Sequence, residues 1–346
     1  MRQMKKACAA LCGLAMLAML AACSQAGSTT GEGGSAPEGL APVTLCLEWT
    51  PNTNHTGIYV ALEKGYFEEQ GLDVTVVQPP ANGATAMCAA GQTQFAISGG
   101  QDSLSNALTL ETPLEVTAVA ALLQHNTSGI LSRAGEGLDS PKGLEGHTYS
   151  TWQSPVEQAM IQNVMEADGG DYGLLQLIPN NITDEAAALA AGHTDAIWVY
   201  YGWGMINAQH TQVAADFFFF KDFNPELDYY TPLLIANNQY LAQQPEQAKA
   251  MLAALAKGYE YAAEHPEDAA EILVAGDTTG ALAGQLDFVT KSQQWLSAQY
   301  IADAQRWGYI DPVRWDAFYD WLWNNGLIAV ELPAGAGFSN DYLPGI

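Results

Sequence analysis

The sequence predicts an α/β protein of two lobes, each a mainly parallel sheet flanked by helices, followed by a helical C-terminal tail. Three observations predict it. After residue 42 the chain opens in the order β-α-β-α-β, a second unit of the same kind follows residues 124–129, and the pattern from Gln239 onward is helical.

Each element has its own signal. Residues 43–49 (Val-Thr-Leu-Cys-Leu-Glu-Trp) alternate like a strand and run into the turn Thr50-Pro-Asn-Thr-Asn-His55. Ile58, Val60, Ala61 and Leu62 mark a helix that Gly71 is placed to stop. A strand over 73–77, a helix over 83–90 and a strand over 94–97 complete the first run, and Ser98-Gly99-Gly100-Gln101-Asp102 opens the next helix. Residues 116–123 are a long apolar strand. The second unit reads strand 147–151, helix 154–166, helix 183–191 and strand 195–199, and residues 230–236 carry the chain back. The crossings are expected near 124–130 and 227–234, giving one lobe of residues 43–126 and 234–346 and another of 127–233. Trp295, Trp307, Trp315, Trp321 and Trp323 in the tail read as packing residues.

The N-terminus points to export. Arg2, Lys5 and Lys6 precede an apolar run over residues 7–20, and Leu20-Ala21-Ala22-Cys23 follows, so residues 1–22 read as a signal peptide. The run is too short for a stable membrane span. Residues 23–42 are rich in Gly, Ser, Thr, Ala and Pro and read as a flexible tether. Without the signal, nine basic residues face 38 acidic ones, a formal charge of −29. Such a surface excludes nucleic acid and anionic lipid as partners. Cys46 and Cys88 are two buried thiols or an export-compartment disulfide, and neither spacing suggests a metal site.

In open parallel sheets ligands lie beyond the carboxyl ends of the strands, which nominates five segments. Trp49 offers a stacking face, with Asn52 and His55 in the turn behind it. Ser98 and Gln101 flank a glycine pair whose helix start exposes amide groups. Gln124 and His125 fall at the first crossing. Trp152 precedes Ser154, which with Pro155 and Glu157 forms a capping box aiming a helix start at the cleft. Tyr200, Tyr201 and Trp203 follow the strand over 195–199, where alternation divides the rings between core and cleft. No Gly-x-Ser-x-Gly, His-Glu-x-x-His or phosphate-binding Gly-Lys-Ser/Thr motif is present, so no catalytic residue is nominated.

The run Leu47-Glu-Trp-Thr-Pro-Asn-Thr-Asn-His-Thr-Gly-Ile-Tyr-Val-Ala61, continuing through Glu63-Lys-Gly-Tyr-Phe-Glu-Glu-Gln-Gly-Leu-Asp73, resembles the ABC-importer binding proteins related to thiamine-pyrimidine synthases. The likeness continues through residues 124–129, 140–146, Ser154-Pro155, 228–232, 257–261 and 306–308. Leu-Ala-Ala-Cys at 20–23 is similar to the bacterial lipobox, which implies lipidation of Cys23. The resemblance implies a two-lobed, periplasmic-binding-protein-like (type II) fold. It implies an extracytoplasmic, lipid-anchored monomer that uses no cofactor and hands a small molecule to an ABC permease and ATPase. The implied solute is a small aromatic heterocycle, a thiamine pyrimidine precursor of the hydroxymethylpyrimidine or formylaminopyrimidine type. Another ring compound such as a flavin, or a sulfonate, is the alternative.

Two departures from the family pattern matter. The synthase branch uses a pyridoxal-phosphate-bound lysine, its own histidine and a cysteine-rich iron motif. Here Ser98 and Asp102 fall at the first two places and no cysteine lies between Lys221 and Pro232, so an enzyme is disfavoured. Many pyrimidine binders also carry a glutamate in the fifth segment, where this chain has Tyr201. Replacing a buried charged acceptor by a phenol forfeits a bond of roughly 1.5–3 kcal/mol, so either another acid compensates or the ring differs.

Overall fold

Within residues 39–345, which the computed structural model describes, the strands gather into two five-stranded sheets. The signal and Cys23 lie outside the described residues. The first sheet contains β1 (Ala41–Cys46), β2 (Leu72–Val77), β3 (Phe95–Ser98), β4 (Val116–Ala121) and β10 (Leu233–Asn237), in the order β2-β1-β3-β10-β4. The second contains β5 (Ser128–Arg133), β6 (Thr148–Thr151), β7 (Gln176–Pro179), β8 (Ala196–Tyr200) and β9 (Ala215–Phe219), in the order β7-β6-β8-β5-β9. In both, the first three strands of the order are parallel, and the strand that enters from the other lobe is antiparallel to its two neighbours. The chain passes between the sheets through residues 122–127 and 220–232. Leu233 already pairs with Ser98 and Ala121 of the first sheet.

The first sheet carries α1 (Thr56–Glu63), α2 (Tyr66–Glu69), α3 (Ala84–Ala89) and α4 (Gln101–Leu108). The second carries α5 (Pro155–Ala167), α6 (Glu185–Ala190) and α7 (Ile206–His210). The tail supplies α8 (Asn238–Gln243), α9 (Pro245–Glu264), α10 (Pro266–Gly276), α11 (Leu286–Leu296) and α12 (Pro312–Asn324). Val43 and Leu45 of β1 are buried on one face and Cys46 on the other, while Phe95, Ile97, Leu234 and Ile235 fill the sheet's centre.

Strand β1 ends at Cys46, three residues before the expected Trp49, because residues 47–52 turn away to start a 3-10 helix at Thr53–His55. Strands β5, β7 and β9 have no counterpart in the pattern-based expectation. Of the tail tryptophans, Trp307 and Trp315 are fully buried and Trp321 nearly so, with Trp307 stacked on Tyr259 at 4.4 Å. Trp323, however, is 41% exposed, and Trp295 stacks on Tyr201 of the other lobe. Both Cys46 and Cys88 are buried, unpaired thiols, and burial pushes them up to about 11 and about 12.

Candidate functional site

A cavity of about 270 Å³ opens where the start of α4 faces the carboxyl ends of β6 and β8, so both lobes line it. Asp102 stands on the α4 side, with Trp152, Trp198 and Tyr200 opposite.

The glycine pair sets the position of Asp102. Gly100 has φ +154°, and a Cβ there would come within 2.7 Å of Asp102 Oδ1 and 2.8 Å of Thr231 Cβ. Only glycine lets the helix begin this close to both. Oδ1 of Asp102 is buried and has no hydrogen-bond partner among the described residues. Burial pushes the carboxyl up to about 6, against the pull of the Ser103 and Asp102 amides at the helix start.

The opposite wall is held by Glu157. This buried carboxylate accepts from Tyr149 Oη (2.6 Å), Thr151 Oγ1 (2.9 Å), the Trp152 N–H (3.1 Å) and the Ser154 N–H (3.3 Å). Gln153, between Trp152 and Ser154, is held at φ +64°, a conformation that costs a non-glycine residue energy and often marks a functional turn. Trp152 is thereby presented half exposed, tilted against Trp198 at 5.7 Å. Trp198 rests on Phe220 at 4.4 Å, and its Nε1 is buried without a partner. The Tyr200 hydroxyl accepts from Thr231 Oγ1 at 3.3 Å. Burial, then the nearby Asp102 and Glu48, push that phenol far up, while Thr231 pulls it back.

A wider cavity of about 580 Å³ lies along the same interface, between Trp49 and Pro51, Asp184 and Trp203, and Phe288. Trp49 is 56% exposed at its mouth, and Trp203 meets the Phe288 ring edge-on at 4.6 Å. Thus Trp49, Trp152, Ser154, Tyr200 and Trp203 of the nominated residues line the inter-lobe cavities. The Ser98 hydroxyl is buried without a partner at the end of β3, directly before the glycine pair.

The other nominated side chains are committed to the fold. Asn52 caps the 3-10 helix, accepting the Asn54 N–H at 2.9 Å and donating to the Thr50 carbonyl at 3.0 Å. His55 is fully buried between the Asn52 N–H (3.2 Å) and Glu48 Oε2 (2.8 Å). Gln101 is fully buried, accepting the Tyr230 N–H at 2.9 Å and donating to the Trp315 carbonyl at 3.0 Å. Gln124 donates to the Tyr309 carbonyl at 3.1 Å and lines a separate cavity with Arg306 and Arg314. His125 sits at the first crossing, 2.6 Å from Asp228 and 3.0 Å from Asp303. Tyr201 points away from Tyr200, because a π-helical turn over Tyr201–Met205 follows β8, and its ring stacks between Phe219 and Trp295.

Sequence reasoning passed over Asp102, Glu157 and Glu48. Glu157 was visible as the third helical residue of the capping box, and Asp102 as an acid beside a glycine pair. Asp102 lies beside Tyr200, Tyr229 and Tyr319, about a hundred positions away or more, which no local pattern reports.

Two α/β lobes joined by two crossings, with a cleft between them, are the architecture of the periplasmic-binding-protein fold. The chain belongs to the family described as NMT1/THI5 like, which it matches over residues 52–269. It is 32% identical over 243 residues to the formylaminopyrimidine-binding protein of Halalkalibacterium halodurans, covering 68% of this chain and 71% of that one. It is 26% identical to a 4-amino-5-hydroxymethyl-2-methylpyrimidine phosphate synthase of Saccharomyces cerevisiae, covering 65% and 68%. The riboflavin-binding protein RibY of Chloroflexus aurantiacus is 23% identical over 96% of this chain and 97% of its own length. Among solved structures, the alkanesulfonate-binding protein SsuA of Xanthomonas axonopodis pv. citri superposes with a TM-score of 0.61 at 12% identity, covering 88% and 99%.

Proposed function

We propose that this chain is the extracytoplasmic solute-binding component of an ABC importer and that it captures a thiamine pyrimidine precursor of the hydroxymethylpyrimidine or formylaminopyrimidine type. The observation that carries the reading is the inter-lobe cavity itself, where Trp152, Trp198 and Tyr200 offer flat faces beside an Asp102 whose Oδ1 has no partner and a Trp198 indole N–H that has none. Flat faces with a few convergent polar groups suit a small heterocycle. The 32% identical formylaminopyrimidine-binding relative supports the pyrimidine assignment. A carrier, not a synthase, fits the residues present: Ser98 has no amine to form an imine, and Asp102 has no imidazole. A lipid anchor at Cys23 would hold the protein beside its permease and ATPase; intact mass of the membrane-bound protein checks it by an acylated Cys23 as the first residue.

The test is calorimetry of the purified protein with 4-amino-5-hydroxymethyl-2-methylpyrimidine, its formylaminomethyl counterpart, riboflavin and an alkanesulfonate. Saturable binding of a pyrimidine, with no product formed, is expected. The RibY relative, matched along almost the whole chain, favours a flavin as the second reading. Riboflavin binding without pyrimidine binding would establish that alternative, and turnover of any compound would overturn the carrier assignment.

A further inference from the structure

We propose that Asp102 is the acceptor that selects the solute, taking an N–H bond from the edge of a flat heterocycle seated against Trp152, while the Trp198 indole N–H donates to a neighbouring ring atom. The inference rests on the solute-binding reading above and adds the chemistry of the recognised edge, a donor next to an acceptor. An aminopyrimidine presents that edge through its amino group and ring nitrogen, and a flavin presents it through its ring N–H and carbonyl.

Three acids lie near this part of the cleft, and two are occupied. Glu157 already accepts four hydrogen bonds. Glu48 faces the buried imidazole of His55 at 2.8 Å. Asp102 alone has an oxygen that is buried and unpartnered. The titratable groups facing it are Tyr200 on β8, the buried Tyr229 on the second crossing, the buried Tyr319 on α12, and Glu157 across the cavity. None of them is a cation, so among the described residues only the amides at its own helix start offset an Asp102 carboxylate's charge. A buried acceptor and a buried donor without partners, on two residues that line one cavity, each cost the protein energy. A solute that answers both recovers it. Because burial raises the Asp102 carboxyl toward 6, its charge is present at neutral pH and lost in mildly acidic solution.

The test compares wild type, Asp102→Asn and Glu48→Gln in calorimetry with 4-amino-5-hydroxymethyl-2-methylpyrimidine and with riboflavin at pH 7.5 and pH 5, and in thermal melting without solute. At pH 7.5, Asp102→Asn should bind whichever compound wild type takes roughly tenfold more weakly or worse, since the lost bond is charge-assisted. At pH 5 the two proteins should bind more nearly alike, because Asp102 is then protonated in wild type. Without solute, Asp102→Asn should melt above wild type at pH 7.5, with the gap narrowed at pH 5 and closed only below about pH 4. If wild type binds and Asp102→Asn binds equally well, the proposal fails while the carrier reading stands. Loss of binding in Glu48→Gln alone would move the acceptor to the other acid. If wild type takes neither compound, the solute reading fails and removes the partner assigned to Asp102. An Asp102→Asn protein that melts no higher than wild type at pH 7.5 overturns the proposal by itself.

Discussion

Between Glu48 and Asn52 one imidazole serves two partners. Nδ1 of His55 accepts the Asn52 N–H at 3.2 Å, so Nε2 carries the hydrogen and donates to Glu48 at 2.8 Å, all with the ring fully buried. His55→Ala removes both bonds and leaves the buried Asn52 N–H without its acceptor, which should lower stability by roughly 1–3 kcal/mol. Denaturant unfolding measures it, and an unchanged midpoint would show that the pair holds nothing. The same residue illustrates what local sequence reports. Trp49, Asn52 and His55 are the residue types that build both binding loops and helix caps, and the sequence placed the loop correctly at the end of β1. It could not say that Asn52 and His55 turn inward, because that depends on Glu48 and on Tyr259, whose hydroxyl donates to the Asn54 carbonyl at 2.7 Å. Ser154 was legible as a cap for the opposite reason: its partner, Glu157, is three residues away.

Helices α1 and α9 meet glycine to glycine. A Cβ on Gly57 would fall 2.3 Å from the Tyr259 ring, and one on Gly258 would fall 2.0 Å from the Gly57 carbonyl oxygen. Gly57→Ala therefore either displaces Tyr259 from its 4.4 Å stack on Trp307 or separates the helices. Overpacking of this kind costs typically 1–3 kcal/mol, and about 2–4 °C of melting temperature per kcal/mol is expected at this size. Scanning calorimetry should show the drop; a wild-type melting temperature would mean the contact yields freely. Helical periodicity made α5 and the tail visible in the sequence, and capping and glycine stops gave their ends. Three strands were not visible, each for its own reason. The first half of strand β5 overlaps the stretch read as a crossing, and Gln176–Pro179 of β7 is mostly exposed and shows little alternation. Strand β9, Ala215–Phe219, is a phenylalanine run with no polar face to mark its period.

At the scale of the molecule, the two crossings are fastened to each other. Asp228 on the second accepts from the first, taking the Asn126 N–H at 2.9 Å and facing His125 Nδ1 at 2.6 Å. Burial works against its charge, but His125, the Arg314 guanidinium and the Asn126 amide together hold the carboxyl below the ordinary aspartate value of 3.8. A carboxyl lowered by folding adds stability that is fully present above its unfolded value and is lost as pH falls through its folded one. Wild type should therefore melt above Asp228→Asn at neutral pH, with the gap closing only below about pH 4. A gap that stays constant down to pH 3 would mean that charge at the crossing is irrelevant. The two-lobe plan was legible because β-α-β order and its repetition survive in local pattern. The fastening was not, since its partners lie about a hundred residues apart.

Strand β10 lies between β3 and β4, although more than a hundred residues of the other lobe separate it from either in the chain. The order in which the protein emerges is therefore not the order in which its sheets close. Strands β5–β9 are contiguous and can assemble as soon as they have all been made. The first sheet must wait, with β4 cut off from β1–β3, until residues 233–237 arrive to bridge them. A chain truncated before Leu233 would hold one finished sheet and one split in two, with the unpaired edges of β3 and β4 open to other strands.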